Sequence, residues 1–175
     1  FLHDEGSKKQ FYPSYRPEDF SDSGLLKGLR VGDISIAIDS GEIIGTMAEW
    51  DQRKFKQGVV DSYNGRIRKI KPFYNLMAPL FDKPRLTDEG KQIPFIYAGL
   101  IATKNNDPEI FRTLLTKTRN GKKNSGLSHL IVGLHERDPL NYAMKDLSSI
   151  KFRTRTYIVN WENEGDFFKK LDNRI

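Results

Sequence analysis

The residues best suited to acid–base chemistry lie in a short charged run of the sequence. The run LHERD, residues 134–138, places His135 and Glu136 directly after an apolar segment, and Tyr142 follows shortly afterwards. Histidine is the side chain that titrates near neutral pH, and a tyrosine hydroxyl can donate a proton. This run is therefore a candidate for general acid–base catalysis. A charged surface turn would have the same composition, and the sequence leaves both interpretations open.

Glu49 is a second candidate for proton transfer. It lies near the end of an apolar segment that runs from Ile43 to Trp50. If side chains alternate along a strand there, Glu49 shares a face with Gly45 and Met47. A carboxylate at the end of a buried strand can act as a general base. The alternative interpretation is an ion pair between Glu49 and an arginine.

Composition limits the other kinds of site. The chain has 175 residues, no cysteine and three histidines. That length allows one ordinary domain, and the absence of cysteine excludes disulfides and thiolate metal sites. Three scattered histidines leave little for zinc, so we predict no metal site. The net charge of +6 favours acidic partners such as nucleic acid, a membrane surface or a phosphate-rich cofactor.

Targeting signals give expectations about location and length. No apolar run reaches the roughly 18 residues of a membrane span, and no signal-peptide core stands at the N-terminus. We therefore expect a cytoplasmic protein with no membrane partner. The first residue is Phe1 and not Met. This start predicts that the chain is the C-terminal part of a longer one, with an additional domain before Phe1.

The first half of the chain predicts a hairpin followed by a helical insertion. Ile34, Ile36 and Ile38 alternate with small residues, DSGE at 39–42 supplies a turn, and residues 43–50 read as the returning strand. Beyond it, apolar residues recur at spacings of four, four, four and three, which is typical of one helical face. They are Phe55, Val59, Tyr63, Ile67 and Ile70.

The second half predicts a strand, a helix and a second strand. Apolar residues mark a strand at Phe95–Thr103, and Asn106 to Glu109 read as a helix start because an Asx cap precedes Pro108. The helix should cover 108–123 and the next strand 127–134. A strand–helix–strand unit gives a parallel pair, so the fold class is α/β or α+β with a mixed sheet. A short helix at 139–147, a strand at 152–161 and a terminal helix at 165–171 complete the predicted order.

The order of elements, and the run IYAGLIATKNNDPEIFRTLL followed by SGLSHLIVGL, resembles the GNAT (Gcn5-related N-acetyltransferase) fold. The resemblance covers roughly residues 34–161. It implies a lead-in segment at 1–33 and a GNAT-like domain at 34–175 with a helical insertion at 53–92. It also implies transfer of an acetyl group from acetyl-CoA to a small-molecule or peptide amine, with Glu49, His135 and Tyr142 as candidate catalytic residues. Six residues would contact the cofactor: Leu100, Ile101 and Ala102 through their backbone, and Lys104, Asn105 and Asn106 in the following turn.

The turn before the predicted helix departs from the GNAT pattern. Such enzymes carry glycines there, whereas residues 103–108 contain none. Asp107 and Glu109 place carboxylates where the pyrophosphate would meet the helix N-terminus, and Pro108 removes one N–H donor. A self-capped helix favours a second hypothesis, a non-catalytic GNAT-like domain that acts as a scaffold or binding module for a catalytic domain before Phe1.

A third hypothesis rests on the basic residues between 53 and 71. Seven lysines and arginines stand there against the single acid Asp61, and Phe73 and Tyr74 follow. Such a segment could track phosphates and stack bases, which would make the chain an anionic-surface or nucleic-acid binder. The sequence contains no nucleic-acid-binding signature. We therefore do not expect nucleic acid to be the partner.

Overall fold

The fold is described from a computed structural model. It describes residues 1–9, 12–21, 23–81, 83–122, 129–147 and 149–155. Within these ranges the strands form one mixed sheet in the order β1-β2-β3-β4. The strands are β1 (Ile34–Asp39), β2 (Glu42–Trp50), β3 (Phe95–Thr103) and β4 (His129–Ile131). The β1–β2 and β2–β3 pairs are antiparallel, and β3–β4 is parallel. The predicted mixed α/β architecture is confirmed.

The hairpin between β1 and β2 forms where the sequence predicts it. Asp39 pairs with Glu42, which leaves a two-residue loop of Ser40 and Gly41. Both residues have positive φ, 50° and 85°, as in a type I′ turn. This turn matches the right-handed twist of the two strands, and glycine adopts the required backbone conformation without steric cost.

Two layers cover the two faces of the sheet. Helix α3 (Pro108–Lys122) packs on one face, where Met47 of β2 and Phe111 of α3 are fully buried. On the other face, Leu26 and Leu29 are buried against Ala48 and the β3 residue Leu100. Residues before β1, including the short helix α1 (Leu2–Gly6), therefore form a layer of the fold. A 3₁₀ helix, Pro139–Met144, stands where a short helix is predicted.

The helix of the insertion begins later than its apolar spacing predicts. Helix α2 spans Gly65–Met77, and the Asn64 side chain caps it by accepting from the Ile67 N–H at 3.0 Å. The chain from 53 to 64 is not helical, because Gly58 interrupts it and the Asx cap at Asn64 sets the helix start. The helix continues through Pro72 as far as Met77.

Two elements are predicted at the end of the chain, and the structure describes only the beginning of the first. Residues 152–155 of the predicted strand 152–161 have no regular structure. The remainder of that strand and the predicted helix 165–171 lie outside the described residues. In the part of the chain that is described, no helix has the length and hydropathy needed to cross a bilayer.

Candidate functional site

Strand β3 is paired with the parallel strand β4 only over its first three residues. The pairs are Phe95 with His129, Ile96 with Leu130 and Tyr97 with Ile131. Residues 98–103 of β3 therefore have no strand partner on that side among the residues described. Ligands in open α/β sheets bind at the carboxyl ends of the strands, so a binding site is expected at the end of β3.

A bulge distorts β3 in this unpaired stretch. Thr46 pairs with Ala102 while Ala48 pairs with Gly99, so Leu100 and Ile101 together lie opposite one residue of β2. Leu100 has a φ of 49°, a conformation that costs a residue with a side chain on the order of 1–2 kcal/mol. The Thr46 hydroxyl holds the bulge by donating to the Leu100 carbonyl at 2.9 Å. Bulges of this kind are frequent next to active sites.

A cavity of about 240 Å³ lies at the carboxyl end of β3. It opens between the end of the strand, the 3₁₀ turn Lys104–Asn106 and the N-terminal segment that contains α1. Its lining residues are Glu5, Gly6, Lys8, Lys9, Tyr12, Ala102, Thr103, Asn105 and Asn106. Ala102, Asn105 and Asn106 are among the residues that the resemblance assigns to the cofactor. Leu100 and Ile101 lie in the bulge just before the cavity.

Several buried polar atoms around the cavity have no hydrogen-bond partner among the described residues. They are the Tyr12 hydroxyl, Thr103 Oγ1 and Asn106 Oδ1. Nearly all buried polar atoms in folded proteins are paired, so unpaired ones gathered at one cavity indicate a place for ordered water or a polar ligand. Burial raises the pKa of Tyr12 above its usual range, so its hydroxyl remains protonated and can donate.

Asp138 adjoins the same cavity from the turn after β4. Its side chain is fully buried. Its Oδ1 accepts from Asn106 Nδ2 at 3.0 Å and from the Leu140 N–H at 2.9 Å. Its Oδ2 has no hydrogen-bond partner among these residues and lies 3.7 Å from Lys9 Nζ. The carboxylate is therefore oriented through one oxygen and faces the Lys9 ammonium group with the other.

Close packing places Tyr12 in this wall. A Cβ added to Gly6 would lie 2.4 Å from Tyr12 Cδ1. The Tyr12 ring therefore packs directly on the α1 backbone, and only glycine leaves room for it at position 6. The neighbouring charges are balanced locally, because Lys8 Nζ bonds Glu5 at 2.6 Å. The site is thus polar and presents lysines beside carboxylates.

The start of α3 is self-capped, as the sequence predicts. Asp107 Oδ1 accepts from the Glu109 N–H at 2.7 Å. The Asn105 N–H donates to the Glu5 carboxylate at 3.3 Å, and Lys104 Nζ bonds Glu42 at 3.1 Å. A pyrophosphate at this turn would need free N–H groups and a cation. The N–H groups of Glu109 and Asn105 and the Lys104 ammonium group already contact carboxylates of the protein.

The predicted catalytic residues lie on three different elements. Glu49 Oε1 accepts from Thr118 Oγ1 of α3 at 3.0 Å. Tyr142 is 68% exposed. His135 lies in the same turn as Asp138, whose N–H donates to the His135 carbonyl at 3.0 Å. The structure therefore places His135 in the turn that carries Asp138, holds Glu49 against α3 and leaves Tyr142 at the surface.

Sequence reasoning missed most of the lining residues, and it missed Asp138, which contacts the lining residue Asn106. Asp138 precedes Pro139 at a helix start, and this Asp-Pro pattern is a detectable N-cap signal. Thr103 stands inside the strand that was predicted, but nothing in the sequence indicates that its hydroxyl is unpaired. Tyr12 lies about ninety residues before the strand it faces, and no local pattern connects the two.

Neither a metal-binding cluster nor a similar known protein indicates the function. No group of three or more His, Asp or Glu side chains within the described ranges could hold a metal ion. Comparisons of the chain with protein-family models, curated proteins and solved structures find no match.

Proposed function

We propose that this domain catalyses acyl-CoA-dependent N-acyl transfer on a GNAT-like fold, with acetyl-CoA as donor and an amine as acceptor. The cavity at the carboxyl end of β3 is the observation that carries the proposal. Ala102, Asn105 and Asn106 line it, at positions where the resemblance implies cofactor contacts. The volume of about 240 Å³ is below the roughly 300–1,000 Å³ of sites for drug-sized ligands. The cavity would hold only part of acyl-CoA.

The bulge in β3 supplies the second element of the proposal. Main-chain N–H groups at Leu100 and Ile101 that lie on the unpaired side of β3 would stabilise the oxyanion that forms when an amine attacks the thioester carbonyl. The bond from Thr46 to the Leu100 carbonyl keeps this backbone in place. Electrostatic stabilisation of an oxyanion requires donors that are already in position when the charge forms. A fixed bulge meets this requirement, because its backbone need not rearrange during the reaction.

Proton transfer is assigned to Asp138, and stabilisation of the leaving thiolate to His135. Asp138 Oδ2, buried beside the cavity, would accept the proton of the attacking amine. His135 Nδ1 accepts from the Arg137 N–H at 3.2 Å, so a neutral ring carries its proton on Nε2. The ring would donate an Nε2–H hydrogen bond to the departing sulfur, and the thiolate would take its proton from solvent. In this proposal Glu49 and Tyr142 take no part in proton transfer.

A second candidate function is a non-catalytic binding module, and the start of α3 favours it. Asp107 and Glu5 already accept from the N–H groups at that turn. A diphosphate brought there would meet these carboxylates and lose the favourable charge of a helix N-terminus. In this candidate the cavity holds a small polar molecule or water, and no acyl transfer takes place.

Calorimetric titration of acetyl-CoA into the chain separates the two candidates. We expect micromolar binding that Asn106→Ala weakens at least tenfold, because Asn106 lines the cavity. Asn120→Ala is the matched control, since Asn120 is exposed on α3. Asp107→Gly should tighten binding by freeing the Glu109 N–H for phosphate.

Turnover is measured by release of the CoA thiol. The chain contains no cysteine, so a thiol reagent detects free CoA without background from the protein. With a panel of amines, Asp138→Asn should lower the rate at least a hundredfold and leave acetyl-CoA affinity nearly unchanged. The absence of heat and of thermal shift at millimolar acetyl-CoA, in both the parent chain and Asp107→Gly, would reject acyl transfer in favour of the binding module.

A further inference from the structure

Helix α2 and the 3₁₀ helix after it, Ala78–Phe81, expose a continuous apolar stripe. No residue of α2 is buried. The stripe residues follow at spacings of three, three, four and one, which places them along one side of the helical segment. They are Ile70, Phe73, Leu76, Leu80 and Phe81, and they are exposed by 58%, 69%, 72%, 74% and 65%. Contiguous apolar surface of this kind marks an interaction site.

The opposite side of α2 attaches it to the rest of the insertion. The Tyr74 hydroxyl donates to the Pro84 carbonyl at 3.2 Å. Asn75 exchanges two bonds with the Leu86 backbone, at 2.9 and 2.7 Å, and Lys71 bonds Asp88. These contacts fix the rotation of the helix about its axis. The stripe therefore faces outward because the inner side is tied down.

Positive charge adjoins the stripe at its amino end. Arg66 and Lys69 are exposed there, and neither has an ion-pair partner in the described part of the chain. Two acids of the segment that is bonded to α2 are already engaged, because Asp88 pairs with Lys71 and Glu89 with Arg68. The stripe is thus an apolar surface with basic groups at one end.

We propose that this stripe is a docking surface for an anionic lipid bilayer, with α2 lying parallel to the membrane plane. Interfacial helices bury an apolar side rich in Phe and Leu at the headgroup boundary, while Lys and Arg contact acidic lipids. The stripe is a convex helical side, and its bases face outward. The expectation of no membrane partner rested on the absence of a spanning segment. A helix that lies in the interface needs none.

Vesicle co-sedimentation tests the apolar part of the surface. The chain should bind vesicles of 70% phosphatidylcholine and 30% phosphatidylserine, and binding should fall at high salt. Phe73→Ser with Leu76→Ser should weaken binding by at least tenfold for each side chain. Leu25→Ser with Val31→Ser is the matched control, because these side chains are exposed by 71% and 76% elsewhere on the surface. The control should bind like the parent chain.

Charge variants test the lipid class. Arg66→Gln with Lys69→Gln should weaken binding to the anionic vesicles roughly 25-fold, at about fivefold per charge. Lys117→Gln with Lys145→Gln is the control, since both lysines are exposed away from α2. Circular dichroism checks that every variant is folded.

Two results would overturn the proposal. One is equal binding to pure phosphatidylcholine vesicles and to anionic vesicles, with no effect of the charge variants. The other is absence of binding to the anionic vesicles. If sedimentation equilibrium then shows a dimer that Phe73→Ser with Leu76→Ser dissociates, the stripe is assigned to a second copy of this chain. The vesicle assay contains no acyl-CoA, so its outcome is independent of the proposed acyl transfer.

Discussion

Two buried threonines should respond in opposite directions to the same substitution. Thr103 is 2% exposed and its hydroxyl has no hydrogen-bond partner among the described residues. Thr118 is 1% exposed, and its hydroxyl donates to Glu49 at 3.0 Å. Thr→Val replaces a hydroxyl with a methyl group of similar size. The two variants therefore isolate the contribution of one hydroxyl in two environments.

The structure sets the expected magnitudes. Burying an unpaired hydroxyl costs about 1–3 kcal/mol, and water in the adjacent cavity would offset part of that cost. We expect Thr103→Val to raise the free energy of unfolding by about 1 kcal/mol. Thr118→Val removes a hydrogen bond to a carboxylate, so it should lower the free energy of unfolding by about 1.5–3 kcal/mol.

Urea unfolding followed by circular dichroism measures both values. With a slope of about 1–3 kcal/mol per molar urea, the Thr103→Val midpoint should rise by roughly 0.3–1 M. The Thr118→Val midpoint should fall. If Thr103→Val destabilises the protein as much as Thr118→Val does, the Thr103 hydroxyl is firmly bonded in solution. The cavity would then lack the unpaired group on which its interpretation as a polar site depends.

Two further predictions concern pH and packing. Burial lowers the pKa of His129 below 6.5, so the unfolded state binds the proton more readily than the folded state does. The free energy of unfolding should therefore be highest above pH 6.5. It should decline as the pH falls from 6.5 toward the pKa of the folded state. Urea midpoints at several pH values measure this decline, which His129→Gln should reduce. Gly6→Ala should cost about 1–3 kcal/mol, because the new Cβ must displace the Tyr12 ring. Gly32→Ala is the control, since nothing lies within 4 Å there, and equal midpoints for the two variants would contradict the packing argument.

Local sequence patterns determined the hairpin and the central strand–helix–strand unit. Alternating isoleucines and the Ser-Gly loop encode β1 and β2 within a few residues. Asp107 and Pro108 encode the start of α3 in the same way, and its self-capped state was predictable from them. These features depend on contacts between near neighbours in the chain, which a sequence displays directly.

The insertion shows where a periodic pattern misleads. The spacing from Phe55 to Ile70 predicted one long helical face, yet the helix begins at Gly65. Asn64 caps Ile67, and the chain before it is instead bonded to residues 90–93, with Val59 bridging Gln92. Helical periodicity does not show that residues 58–60 bond another segment instead of forming a helix, because their partners lie about thirty residues away in the sequence.

The candidate site was decided by tertiary structure. The sequence indicated the end of β3 through Ala102, Asn105 and Asn106, but it did not indicate that Tyr12 and Asp138 would meet them. The exposed stripe on α2 has the same origin, because Tyr74 and Asn75 attach the other side of the helix to residues 84–86. Periodicity reports which side of a helix is apolar. Only the packing of distant segments decides whether that side is covered, and which polar groups are left without partners.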